Sequence, residues 1–177
     1  MPRATRRGCS RCLGVTVPEL PDVEYYRTYA QATSLHKEIV DLELTAPRLL
    51  EGTSRQLLAR RLNGASFEKA SRHGKHLFLN LSSRGALMVH FGMTGLLRYY
   101  EEADDPDHSR LIVRFANGGN LACVNTRMLG RISIVDSVED YVKQTELGPD
   151  ALEITVGALR DLIRNGRGSI RAGTAGN

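Results

Sequence analysis

Residues 65–100 read ASFEKASRHGKHLFLNLSSRGALMVHFGMTGLLRYY, and this stretch decides the fold. Short runs at about 65–72, 75–81, 86–91 and 96–100 are divided by His73-Gly74, by Ser82-Ser-Arg-Gly85 and by the Gly92-Met-Thr-Gly95 loop. Runs of that length between turn residues are strands. More follow at 111–115, 120–124 and 131–135, the first two joined by the hairpin signal Asn117-Gly118. Upstream, Val40, Leu42 and Leu44 alternate as in a strand. Helices bracket the strands. Pro21-Asp22 ahead of Val23, Tyr26, Tyr29 and Ala30 predicts a capped amphipathic helix to about Thr33. Thr53-Ser-Arg-Gln56 has capping-box spacing and opens a short helix that stops at Asn63-Gly64. Residues 137–144 read as a helix and Leu147-Gly-Pro149 as a break. Thr155 caps a last helix with Leu159, Leu162 and Ile163 on one face, ending at Asn165-Gly166. The fold class predicted is α+β, mainly β: an antiparallel β-sandwich flanked by two helices, followed by the start of a helical domain. Residues 1–17 are read as an extension, 18–150 as the sandwich domain and 151–177 as the incomplete start of the helical one.

The 177 residues are 41% hydrophobic and 25% charged, a globular composition that argues against disorder. No run approaches the roughly 20 apolar residues of a membrane-spanning helix. Three cysteines do not make a disulfide framework, which favours a reducing compartment. Cys9-Ser-Arg-Cys12 has metal-ligand spacing but no second pair of ligands nearby, so it is read as incidental and no metal site is expected. Cys123 alternates within a strand as a buried small hydrophobe.

Charge is segregated. Residues 1–17 hold Arg3, Arg6, Arg7 and Arg11 with no acid, and so carry the whole net charge of +4. Residues 52–98 hold eight basic side chains against Glu68 alone, and residues 110–135 hold four arginines and no acid. Five acids crowd residues 101–107. The basic blocks predict one positive face suited to a polyanion, set against solvated charge on ordinary loops. The first 17 residues lack the apolar run of a secretory signal. A translation start assigned too far upstream is preferred for them over an organelle transit peptide; a GUG start codon at position 17 would be read as Val17.

Pro18-Glu-Leu-Pro-Asp-Val-Glu24 resembles the mature N-terminus of the formamidopyrimidine-DNA glycosylase / endonuclease VIII family. Further matches follow in the family's order: Gly74-Lys75, His90-Phe-Gly-Met-Thr-Gly95, Asp107-His108, Thr126-Arg-Met-Leu-Gly130 and Leu147-Gly-Pro-Asp150. The resemblance runs from Pro18 to about Ala172. It implies a DNA repair enzyme that excises oxidised or ring-opened bases from duplex DNA and nicks the abasic strand by β/δ-elimination.

The chemistry agrees with the resemblance. An amine that attacks a sugar C1′ must be neutral, and an α-amino group has a pKa near 8, well below that of lysine. By resemblance the nucleophile is the proline that maps onto Pro18. Its secondary amine gives an iminium, an electron sink for loss of the phosphates. Glu19 would move protons and Lys75 would stand near the damaged nucleotide. His108 and Arg127 would contact DNA. A flipped nucleotide leaves a hole in the stack, which the family fills with Met, Arg and Phe; Met93 and Arg127 match, and Leu129 departs from the aromatic.

The resemblance further implies damaged double-stranded DNA as partner, a monomer, no cofactor in this chain and a bacterial-type cytoplasmic location. The family's helix–two-turn–helix element and structural zinc finger fall beyond the matched residues. They hold much of the phosphate grip, and phosphate contacts supply much of a DNA-binder's affinity. The competing reading is therefore a non-catalytic remnant or weak DNA-binding module of the same fold.

Overall fold

The computed structural model describes residues 17–101 and 104–165. Expectations for residues 1–16, Cys9 and Cys12 among them, and for the chain after Asn165 lie outside the described residues.

Helix α1 (Leu20–Thr33) begins earlier than its predicted Pro21-Asp22 cap. Glu19 is the N-cap, and its N–H donates to the Asp22 carboxylate at 2.8 Å. Pro21 falls in the first turn, where a missing N–H costs no hydrogen bond. Val23 and Ala30 are buried. In β1 (Ile39–Leu44) a bulge between Ile39 and Asp41 resets the alternation. Ile39 and Leu44 point inward while Val40 is exposed, so the predicted Val40, Leu42, Leu44 stripe fails at its first member. Helix α2 (Arg55–Leu62) is capped by Ser54, whose hydroxyl accepts from the Leu57 N–H at 3.1 Å. The predicted cap, Thr53, is one residue too early; its hydroxyl is buried without a hydrogen-bond partner.

Seven strands follow: β2 (Phe67–His73), β3 (His76–Leu81), β4 (Ala86–His90), β5 (Gly95–Tyr100), β6 (Ser109–Phe115), β7 (Asn120–Asn125) and β8 (Arg131–Val135). They form two four-stranded antiparallel sheets, ordered β1-β6-β7-β5 and β2-β3-β4-β8. The main core lies between them. Leu77, Leu79, Leu87, Val89 and Ile132 of one sheet share it with Leu111, Val113, Leu121 and Cys123 of the other, and Leu58 and Leu62 of α2 close one side. Burial pushes the Cys123 thiol up to about 12, in keeping with a packing role.

Strands β3 and β4 are buried on both faces, which is why their sequence is nearly continuously apolar. Phe78, Ala86, Met88 and Val135 point to the outer face, where Val138 and Tyr141 of α3 (Val138–Gln144) cover them. Helix α4 (Val156–Asn165) has the predicted apolar stripe, with Leu159, Leu162 and Ile163 exposed among the described residues.

Candidate nucleic-acid interface

Sheet register gathers the predicted residues at one end of the sandwich. In the second sheet, His76 pairs with His90 and His90 with Arg131, forming one rung. The β2–β3 turn with Lys75, the β4–β5 loop with Met93 and the β7–β8 loop with Arg127 and Leu129 all leave from that rung. In the first sheet, Gly95 pairs with Asn125 and Ser109 with Val124, so His108 joins the same end. Side chains from Lys75 to Leu129, about 55 residues of sequence, thus gather at one end.

Pro18 is buried just ahead of α1, and Glu19 projects from the helix start. The Lys75 ammonium lies 3.7 Å from the Glu19 carboxylate, with side-chain exposures of 30% and 64%. This proximity brings together the three residues predicted to be catalytic. In the structure Lys75 sits within the turn, one residue before the strand it was predicted to open.

Beneath that turn lies an ion network whose roles the sequence left unassigned. Arg72 is 3% exposed and Asp150 is 2% exposed at the side chain. Arg72 grips Asp150 with both terminal nitrogens, the Nη2 bond measuring 2.8 Å, and also donates to Glu24 at 3.1 Å. The Gly74 N–H donates to Asp150 at 2.6 Å and the Leu152 N–H at 2.9 Å. Burial pushes the Asp150 carboxyl up, but the bonds from Arg72, Gly74 and Leu152 outweigh it and bring it down to about 2. Residue His73 adds a hydrogen bond to the Gly148 carbonyl at 2.7 Å.

The loops carrying Met93, Arg127 and Leu129 are clamped to each other. The Arg127 N–H donates to the Thr94 hydroxyl at 3.0 Å, and that hydroxyl donates to Asn125 Oδ1 at 3.3 Å. The buried Asn125 amide donates back to the Phe91 carbonyl at 3.0 Å. Gly92 has φ +62°, and a Cβ there would stand 2.4 Å from the Leu129 carbonyl, so only glycine permits this approach. The clamp leaves Met93 39% and Leu129 53% exposed, with Arg127 exposed beside them. Large apolar side chains held in water on a rigid loop are unusual in a core and suited to insertion. The Asn125 N–H donates to the His108 carbonyl at 3.0 Å, which ties the exposed His108 to the same clamp.

Acids from elsewhere in the chain neutralise part of the basic blocks. Arg72 is spent on Asp150 and Glu24, Arg61 pairs with Asp136, Arg114 with Glu43 and Asp105, and Arg131 with Glu51. Their partners come from outside the blocks, which a local charge tally cannot see. Among the described residues neither Arg127 nor Arg110, whose guanidinium donates to the Asn125 carbonyl at 2.9 Å, makes an ion pair, so both add cationic character to the loop end beside Lys75.

In the rung, His76 is 7% exposed, its ring tilted against that of His90 at 4.9 Å and edge-on to that of Tyr141 at 5.8 Å. Burial, then the charges of His90 and Arg131, lower its pKa to about 4, while His90 is lowered by burial, Arg131 and Lys75. Unfolded, the His76 side chain protonates near 6.5; folded, it does so only near 4. Its contribution is therefore complete above pH 6.5 and is lost as pH falls toward 4, a cost of about 3 kcal/mol. Urea unfolding at pH 7 and pH 4.5 should show a smaller loss for His76→Phe than for the parent chain; an unchanged pH dependence would exclude the histidine as its source.

The chain is similar to known proteins over this same stretch. Residues 17–132 match the formamidopyrimidine-DNA glycosylase N-terminal domain. The formamidopyrimidine-DNA glycosylase of Streptomyces avermitilis is 35% identical over 130 residues, covering 70% of this chain and 46% of the relative. That of Pelotomaculum thermopropionicum is 33% identical over 140 residues, covering 77% and 51%. The chain spans about half the length of the curated relatives it matches. Among solved structures, the Lactococcus lactis enzyme in complex with DNA containing an abasic site superposes with a TM-score of 0.78 at 26% identity, covering 88% of this chain and 59% of that one. The same enzyme with DNA containing N7-benzyl-Fapy-dG gives 0.75 at 27%, covering 84% and 56%. Two four-stranded sheets, a clamped loop end and a matching N-terminal domain agree: the chain belongs to the formamidopyrimidine-DNA glycosylase family.

Proposed function

We propose that this chain acts on damaged double-stranded DNA as a base-excision glycosylase with abasic-site lyase activity. The observation that carries the reading is the rung His76–His90–Arg131, which sets Lys75 with Glu19, and Met93 with Arg127 and Leu129, at one end of one sheet. The relatives' names and the DNA-bound neighbours support it.

In the proposed reaction the Pro18 nitrogen, a free amine once residues 1–17 are absent, attacks C1′ of the flipped nucleotide. The new C–N bond replaces the glycosidic bond, whose electron pair leaves with the base. The attacking nitrogen gives up its proton, which Glu19 passes to the ring oxygen as the sugar opens to the iminium, while the departing base takes a proton from water. Glu19, again a carboxylate, accepts the C2′ proton; the electrons released move toward the iminium nitrogen and then expel the 3′-phosphate. Met93, Arg127 and Leu129 would meanwhile fill the vacated stack.

Binding to a duplex with one abasic site tests the interface. Lys75→Glu with Arg127→Glu should weaken binding and flatten its dependence on salt, because two cations at the proposed DNA-facing end are lost. Unaltered binding by the double variant would place DNA elsewhere on the chain. Binding without any covalent trapping by a polypeptide that begins at Pro18 would favour the non-catalytic module.

A further inference from the structure

We propose that Asp150, seated on Arg72 and the Gly74 N–H, is the positioning residue that holds Lys75 beside Glu19. The inference rests on the proposed DNA reaction for its purpose. Lys75 cannot hold its own place: its one ion pair, at 3.7 Å to a 64% exposed carboxylate, is the kind worth little in water. The turn is fixed from beneath. Arg72 Nη1 donates to the Gly74 carbonyl at 3.0 Å and Asp150 accepts from the Gly74 N–H, so both polar groups of the residue before Lys75 are held by one buried pair.

Asp150 is suited to positioning and not to chemistry. One of its oxygens accepts from Arg72 Nη1 and Gly74, the other from Arg72 Nη2 and Leu152. Its four acceptor sites are therefore filled, leaving none for substrate. Residues 147–150 lie some 75 residues away in sequence and reach the turn through the bonds of Asp150 to Arg72 and Gly74 and through the His73–Gly148 bond. The last of the resembling motifs thus acts on Lys75 without facing DNA.

The test uses the full 177-residue chain and a duplex bearing a tetrahydrofuran abasic analogue. Lys75→Ala, Asp150→Asn and the double variant are compared by binding titration, with amide hydrogen exchange followed at Gly74 and Lys75. Each single change should weaken binding about fivefold, and the double variant should be no weaker than either, because both remove the same contact. Exchange at Gly74 and Lys75 should quicken in Asp150→Asn by more than the global loss of stability read from β4. Multiplying losses in the double variant would overturn the proposal, as would unchanged exchange at the turn. If Asp150→Asn does not fold, Arg72→Lys, which keeps the charge but loses the fork, is expected to give the same non-additivity. A parent chain that does not bind the duplex would defeat the DNA reading alone; the exchange measurement would still decide whether Asp150 orders the turn.

Discussion

Borohydride is expected to trap on abasic DNA a polypeptide whose first residue is Pro18, and to leave untrapped one that begins at Met1. The amide nitrogen joining Val17 to Pro18 has its lone pair delocalised into the carbonyl and cannot attack carbon. Freed at the chain start, the same nitrogen is a secondary amine placed directly before Glu19, whose carboxylate meets Lys75 at 3.7 Å. Both polypeptides should carry the helical half of a relative, so that weak DNA binding does not mask the difference. Pro18→Gly in the shorter one should cut trapping about tenfold or more. Equal trapping by a Met1 polypeptide, verified intact by mass, would transfer the nucleophile to another amine, with Lys75 the first suspect.

The second large effect concerns stability. Asp150→Ala should cost about 3–5 kcal/mol, since it strands a buried guanidinium and removes the acceptor of two backbone N–H groups. Urea denaturation at pH 7 measures it, and a loss below about 1 kcal/mol would show that water reaches Arg72 freely. The parent chain should keep this contribution as acid is added. The Asp150 carboxyl is lowered from the ordinary aspartate range to about 2, so the stabilisation is complete above pH 4 and lost only as pH falls toward 2.

Local pattern carried most of the fold. The β3–β4 hairpin was legible because its apolar runs stop at turn residues, and the Asn117-Gly118 signal marked the β6–β7 turn. The bulge at Ile39–Asp41 was not, since it depends on how β1 pairs with β6, far along the chain. The caps of α1 and α2 were misplaced by one to three residues because capping side chains cluster at helix starts and only backbone dihedrals choose among them, whereas Thr155 caps α4 as predicted, its hydroxyl accepting from the Ala158 N–H at 3.2 Å. The site divides in the same way. Pro18, Lys75, Met93 and Arg127 lie in short motifs that name themselves. Arg72 looked like one more cation in a basic block, and its partner stands 78 residues downstream. Thr94 and Asn125 carry their roles in a hydrogen-bond geometry that no spacing encodes.

The rung that gathers the loops also leaves the molecule with a blank end. The turn at residues 82–85 and the hairpin at residues 117–118 leave from the opposite ends of the same strands, and Ser83 and Asn117 are exposed there. A dye, a spin label or a surface tether attached at either position stands a full strand length from Met93 and Lys75. Immobilised through Ser83, the chain would present the loops proposed to meet DNA outward in a single orientation, so handles for measurement and handles for chemistry need never compete.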